Sequence, residues 1–118
     1  MIRLATVGTS AITEKFLAAC RLTGRYELHT DYSRSIKNGE DFAKAQGFRH
    51  FSNDLMAVAE NPEIDAVYIA TPNVFHYEQS RLFLEKGKNV ICEKPITTDC
   101  EKYDELLALA NKKGLIYA

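Results

Sequence analysis

The sequence predicts an α/β domain: a doubly wound parallel sheet with helices on both faces. Three observations predict it. Short apolar runs alternate with capped amphipathic segments from one end of the chain to the other. The run Ala66-Val67-Tyr68-Ile69-Ala70 is nearly continuous in apolar residues, as a strand covered on both faces must be. The first run, Ile2 to Val7, passes through Gly8 straight into an amphipathic helix, which is the opening step of a βα unit.

Taken in order, the elements are these. After the first strand, Phe16, Leu17, Ala19, Cys20 and Leu22 form the apolar face of a helix that closes near Gly24. A strand at Tyr26–Tyr32 follows and ends at Ser33-Arg34-Ser35. A helix over Asp41–Gln46 turns Phe42 and Ala45 inward, with Gly47 as its C-cap. Phe48–Phe51 is a brief strand, Asp54–Ala59 a short helix with Leu55, Met56 and Val58 apolar, and Asn61-Pro62 breaks the chain. The strand Ala66–Ala70 stops at Thr71-Pro72-Asn73, where Asn73 can cap a helix over Val74–Glu85. Gly87 ends that helix and Asn89–Cys92 is the next strand. Asp99–Lys112 is the last helix, with Tyr103, Leu106, Leu107 and Ala110 on one stripe, and Gly114 closes it. Leu115–Ala118 begins a further strand: six are expected if it pairs and five if it does not, with the Gly8 strand central.

With 118 residues there is room for one domain with a real core, and 46% hydrophobic content with 26% charge is that of a globular protein. A net charge of −1 gives no electrostatic reason to bind nucleic acid or an anionic membrane. No apolar run approaches the roughly 20 residues needed to span a bilayer, and no signal peptide is seen. Cys20, Cys92 and Cys100 are odd in number and lack metal-ligand spacing, so they read as reduced thiols in a cytoplasmic protein. Because the chain stops within a strand, a longer parent that continues past residue 118 is expected.

The chemistry should lie beyond the carboxyl ends of the strands, where Gly8–Ile12, Ser33–Ser35, Thr71–His76 and Glu93–Pro95 fall. A strand that turns sharply into a helix aims backbone N–H groups and a positive helix end at one spot, which suits a pyrophosphate. Gly8-Thr9-Ser10-Ala11-Ile12-Thr13 meets the Rossmann-type fingerprint only in part. Ser10 stands at the second glycine position and Thr13 at the third. A plain βα turn without a ligand is the alternative.

Two further stretches carry a family resemblance. Ala70-Thr71-Pro72-Asn73-Val74-Phe75-His76 and Gly87-Lys88-Asn89-Val90-Ile91-Cys92-Glu93-Lys94-Pro95 closely resemble the Gfo/Idh/MocA oxidoreductases, NAD(P)-dependent enzymes. Both motifs and the glycine turn fall in the family's order. The resemblance spans all 118 residues but only the N-terminal, dinucleotide-binding half of the family. The absent half supplies the substrate pocket, other catalytic groups and much of the oligomer interface, so a homo-oligomer is a property to seek in the full-length protein.

The resemblance implies a role for each matching residue. Gly8, Thr9, Ser10, Ala11 and Ile12 correspond to the pyrophosphate turn. Ser10 departs from the usual glycine, and its hydroxyl could bond a phosphate instead. Thr71, Pro72 and Asn73 correspond to the loop along ribose and nicotinamide, and His76 to the histidine of the following helix, its alternative being a solvent-facing first-turn residue. Glu93, Lys94 and Pro95 correspond to the family signature. There the lysine lies near the nicotinamide and the substrate hydroxyl and can polarise an oxygen or help move its proton. A solvated loop lysine is the alternative. The bond before Pro95 tends to be cis in the family.

The tip of the second strand should select the cofactor. An acid there accepts the ribose hydroxyls of NAD, whereas a small polar residue followed by arginine suits the 2′-phosphate of NADP. The family pattern puts Ser33-Arg34 at the tip. Asp31 has an offset from Gly8 compatible with NAD, so NAD stays open while NADP is favoured. The expected function is the cofactor-binding part of an oxidoreductase that moves hydride to or from a sugar, polyol or related hydroxy compound. The fragment itself should be inactive. A non-catalytic nucleotide-binding or sensing protein on the same fold is the alternative, with Lys94 speaking against it.

Overall fold

In a computed structural model, which describes residues 1–93 and 100–118, the chain alternates strand and helix throughout. The elements are β1 (Ile2–Val7), α1 (Ala11–Thr23), β2 (Tyr26–Tyr32), α2 (Ile36–Gln46), β3 (His50–Ser52), α3 (Leu55–Glu60), β4 (Ala66–Ile69), α4 (His76–Glu85), β5 (Asn89–Cys92) and α5 (Cys100–Lys113). All five strands are parallel, in the order β3-β2-β1-β4-β5, with β1 central as expected. Leu115–Ala118 adds a single parallel bridge, Tyr117 to Val90, on the outer side of β5 rather than a sixth strand. The Val90 and Cys92 N–H groups donate to the Ile116 and Ala118 carbonyls at 2.9 and 2.8 Å.

The sheet separates two cores. Leu4, Ala66 and Tyr68 meet Leu17 and Cys20 of α1 and Phe42 of α2 on one face. Ala5, Val7, Val67 and Ile69 meet Val58, Phe83, Leu84 and Leu106 on the other. All four residues of β4 are therefore buried, which explains why its sequence lacks polar alternation. Each fully buried Leu or Phe contributes roughly 1.5–3 kcal/mol.

Four helix details differ from expectation. In α1 the inward residues are Thr13, Leu17 and Cys20, while Ala19 is exposed and Leu22, on the opposite side of the helix from the buried stripe, is 90% exposed. In α3, Val58 and Ala59 are buried and Met56 faces out. Helix α4 begins at His76, after a 3-10 turn over Asn73–Phe75, and its N-cap position is Phe75 rather than Asn73.

Helix α2 starts at Ile36, five residues before the expected Asp41, and buries Phe42 with Ala43 rather than Ala45. Ser35 is its cap, accepting a hydrogen bond from the Asn38 N–H at 3.3 Å. Asn38-Gly39 reads as a breaker, yet Gly39 is buried and an added Cβ would lie 1.9 Å from Cε1 of Phe51. This glycine lets β3 close against the helix. Gly39→Ala should therefore lower stability by about 1–3 kcal/mol, although alanine is intrinsically the better helix former. Urea unfolding checks this, and a stabilised variant would mean that the Phe51 ring swings aside without cost.

Candidate functional site

The chain winds outward from β1 through β2 to β3 and then returns to place β4 on the other side of β1. Strand order reverses there, and the carboxyl ends of β1 and β4 diverge into a crevice. A cleft of about 810 Å³ occupies it. Gly8, Thr9 and Ser10 form its floor. Tyr32 through Ser35 with Asn38 form one wall, and Ala70, Thr71, Pro72, Phe75 and Gln79 the other. Among these lining residues the only charged side chain is Arg34, and none is acidic.

The floor is fixed by backbone contacts. The Gly8 N–H donates to the Tyr32 carbonyl at 3.4 Å, and the Ala70 N–H to the Val7 carbonyl at 2.9 Å. Gly8 has φ 119°, and a Cβ there would lie 2.9 Å from the Ala70 carbonyl oxygen. Ser10 is the N-cap of α1, but its side chain caps no backbone N–H. The first intrahelical bond is that of Glu14 N–H to the Ser10 carbonyl at 3.2 Å. The earlier N–H groups of α1, Ala11 to Thr13, thus have no partner within the helix, at its positive end. Such donors above a floor without carboxylates fit a pyrophosphate. Ala11 and Ile12 are not among the residues that line the cleft, and Ile12 is 44% exposed. Thr13, at the third glycine position, is fully buried beside Ser10, with the two hydroxyl oxygens 3.4 Å apart.

On the β2 wall, Ser33 is anchored by its N–H to the Ser52 carbonyl at 3.1 Å. Its hydroxyl accepts from the Ser35 N–H at 3.3 Å, so the turn holds itself. Arg34 is exposed, with its guanidinium carbon 5.8 Å from the Phe75 ring centre across the cleft. Asp31, the rival for cofactor choice, is not at the tip. It is fully buried one strand position inside, opposite Thr6, whose hydroxyl donates to Oδ1 at 3.0 Å. Burial pushes its carboxyl up to about 7, the Thr6 bond opposing this in part. A carboxyl in that position accepts no ribose hydroxyl in the cleft.

On the β4 wall, the Thr71 hydroxyl donates to Gln79 Oε1 at 2.6 Å. His76 is 1% exposed, and its Nε2–H donates to the Thr71 carbonyl at 2.5 Å. The histidine is therefore neither solvent-facing nor part of the cleft lining. It stands behind the loop and holds it, a role its sequence position alone does not reveal.

Glu93 also lies outside the cleft lining, at the end of β5. Its N–H donates to the Ile69 carbonyl at 2.9 Å, and its Oε2 accepts from the Tyr68 hydroxyl at 2.5 Å. Burial, then this carboxylate, pushes the Tyr68 phenol well above its ordinary range, so the hydroxyl keeps its proton. Phe16 lies flat on Tyr68, with ring centres 3.8 Å apart, and fixes it from α1. Sequence reading missed Tyr68, though the period of two along β4 sets it on the α1 face. Lys94, Pro95 and the bond between them lie outside the described residues. Burial raises the Cys92 thiol to about 11, so it holds no thiolate at neutral pH. No three-residue His, Cys, Asp or Glu group among the described residues could hold a metal, and no helix there could cross a membrane.

A central βα turn with open amides, at the reversal of a parallel sheet, defines a dinucleotide-binding domain of Rossmann type. The profile of the Gfo/Idh/MocA family, an oxidoreductase family with an NAD-binding Rossmann fold, matches residues 2–118, and the chain belongs to that family. It is 41% identical over 116 residues to the uncharacterized oxidoreductase YgjR of Escherichia coli, covering 98% of this chain and 35% of that one. Identity is 38% to the scyllo-inositol 2-dehydrogenase (NADP(+)) IolU of Bacillus subtilis, with the same coverage. The 3-ketoreductase KijD10 of Actinomadura kijaniata, solved with NADP and TDP-benzene, superposes with a TM-score of 0.90 at 31% identity, covering 97% of this chain and 35% of that one. The chain thus spans about a third of the length of these relatives.

Proposed function

We propose that this chain is the NADP-preferring, cofactor-binding part of an oxidoreductase that transfers hydride to or from a sugar, polyol or related hydroxy compound. The observation that carries the reading is the cleft lining, in which, among the described residues, Arg34 is the one charged side chain and there is no carboxylate. A 2′-phosphate gains a bidentate partner there, whereas the diol of NAD finds no acid. IolU, named for NADP and an inositol, supports the substrate class.

In this reading the Gly8–Ile12 turn holds the pyrophosphate and Ser33 with Arg34 the 2′-phosphate. Thr71, Pro72 and Asn73 run along the ribose and nicotinamide, braced by His76 from behind. Glu93, held by Tyr68, sets the start of the segment that carries Lys94 and Pro95, and Lys94 polarises the substrate oxygen or moves its proton. The nicotinamide supplies the hydride donor or acceptor when bound. A single domain covers one side of that ring, so the isolated 118 residues turn nothing over. The protein works in the cytoplasm, and the complete parent is the form in which to seek a homo-oligomer.

Calorimetric titration with NADP and NAD tests the preference. Wild-type protein should bind NADP more tightly. Arg34→Ala should lose about ten- to a hundred-fold for NADP, the 1.5–3 kcal/mol of a hydrogen bond to a charged group, and far less for NAD. Tighter binding of NAD by the wild type, or equal losses for both, would overturn it.

A further inference from the structure

We propose that Asp31 makes cofactor binding proton-linked: the domain takes up a proton at this carboxyl when an anionic dinucleotide enters the cleft, and binds it more weakly once the carboxyl ionises. The inference rests on reading the cleft as the cofactor site. Asp31 is no ligand there, but it lies directly beneath. Thr6 and Asp31 face each other in register, and the next pair along the same two strands is Val7 with Tyr32. Beyond that pair come Gly8, its N–H on the Tyr32 carbonyl, and Ser33 with Arg34, which form floor and wall of the cleft. Two steps of strand, about 7 Å, therefore separate the row of the carboxyl from the turn that faces a pyrophosphate.

The surroundings leave this carboxyl to answer to the charge of a ligand. Its Oδ1 accepts from the Thr6 hydroxyl, and its Oδ2 is buried with no hydrogen-bond partner among the described residues. Its register partners, Thr6 of β1 and Phe51 of β3, carry no charge. The inward residues of α1 are Thr13, Leu17 and Cys20, and those of α2 are Gly39, Phe42 and Ala43. Of these only the Cys20 thiol titrates, and burial pushes it up, so it stays neutral. Glu14, Lys15 and Arg21 of α1, and Lys37, Glu40, Asp41 and Lys44 of α2, are all exposed. Tyr68, beyond Thr6, keeps its proton against Glu93. Burial holds Asp31 at about 7, so near neutral pH it is divided between acid and anion. One negative charge about 8 Å away, at an effective dielectric constant of about 20–80, favours the acid about two- to thirty-fold. Arg34 is present with and without ligand and does not cancel that change. The coupling is reciprocal. Well below about 7 the acid is neutral in both states and affinity is complete. As pH rises past that value the free chain ionises while the bound one keeps its proton, so affinity falls by the same factor.

Calorimetric titration with NADP and with NAD at pH 7.5, once in HEPES and once in Tris, counts the protons, because the heat then depends on which buffer gives them up. The wild type should take up a few tenths of a proton per dinucleotide. Asp31→Asn, which keeps an acceptor for Thr6 but cannot ionise, should lose that uptake. NAD has no phosphate monoester, so its count is free of the 2′-phosphate of NADP, which loses its last proton at about pH 6. From pH 6.5 to 8.5 the affinity of the wild type should fall about two- to thirty-fold relative to that of the Asn variant. The wild-type count with NAD needs no variant, so the test survives an Asn variant that folds poorly. If the wild type binds NAD without taking up a proton, or both proteins give equal counts and parallel affinity profiles, the linkage is wrong and the cofactor reading stands. If the wild type binds neither NADP nor NAD, both fall together.

Discussion

Gly8→Ala should destabilise the domain by about 2–6 kcal/mol, a large part of the 5–15 kcal/mol that a domain of this size holds. Two costs add. The backbone sits at φ 119°, where an L side chain costs about 1–3 kcal/mol. The new Cβ would also lie 2.9 Å from the Ala70 carbonyl oxygen, which belongs to main chain tied to Val7 and cannot move alone. That overpacking is worth a further 1–3 kcal/mol. Gly24→Ala is the control, for Gly24 also has positive φ, at 66°, but nothing lies within 4 Å of its added Cβ. Urea midpoints should therefore fall much further for Gly8→Ala than for Gly24→Ala. Equal losses would mean that the β1 and β4 ends separate easily, and the floor of the cleft would not be rigid. Since the same turn presents the α1 amides, the Gly8 variant should also bind cofactor more weakly at temperatures where it remains folded.

Gly8 is a residue whose place in the fold was legible in the sequence, and so were Ser33, Arg34, Thr71 and Pro72. All sit at strand ends, and in a parallel sheet the strand ends alone say where the crevice is. The strands were legible for a related reason. Both faces of β4 are covered, so its composition carries the signal without any partner being known. What could not be read are contacts that depend on separate elements meeting. Tyr68 and Glu93 are paired across adjacent strands, and Phe75 meets Arg34 across the cleft. Gly39 looks like a helix breaker until Phe51 is seen against it. The mistaken inward placement of Leu22 and Ala45 has another origin: each is apolar and follows a buried residue by two, and at about 100° per residue that spacing turns the side chain away from the buried stripe toward water. His76 was placed in the right segment with the wrong surroundings, because only the fold of the Thr71 loop brings a carbonyl to its ring.

Asp31 illustrates a different failure, and it leads to the second large effect: stability should fall as pH rises from about 4 to 7. Its distance from Gly8 suits a cofactor ligand, yet the structure turns it into the α1 face of the sheet, fully buried. Its register partners are Thr6 and Phe51, neither of them charged. Thr6 satisfies Oδ1, and Oδ2 is buried with no hydrogen-bond partner among the described residues. Burial therefore favours the neutral acid and raises the folded-state pKa from 3.8 to about 7. The sign follows from linkage. Below the unfolded value both states are protonated and the contribution is complete. Between the two values the unfolded chain releases its proton while the folded one keeps it, so stability drops with rising pH, and above about 7 it levels off. At about 1.4 kcal/mol per unit the loss is at most about 4 kcal/mol, lessened by whatever relaxation lets water reach Oδ2. Asp31→Asn keeps an acceptor for the Thr6 hydroxyl and carries no charge at any pH. Urea unfolding of both proteins between pH 4 and 8 should give nearly equal stability at pH 4. At pH 8 the Asn variant should be more stable by up to that amount. Parallel profiles would show that Asp31 titrates normally, and that the interior near the end of β2 is wet.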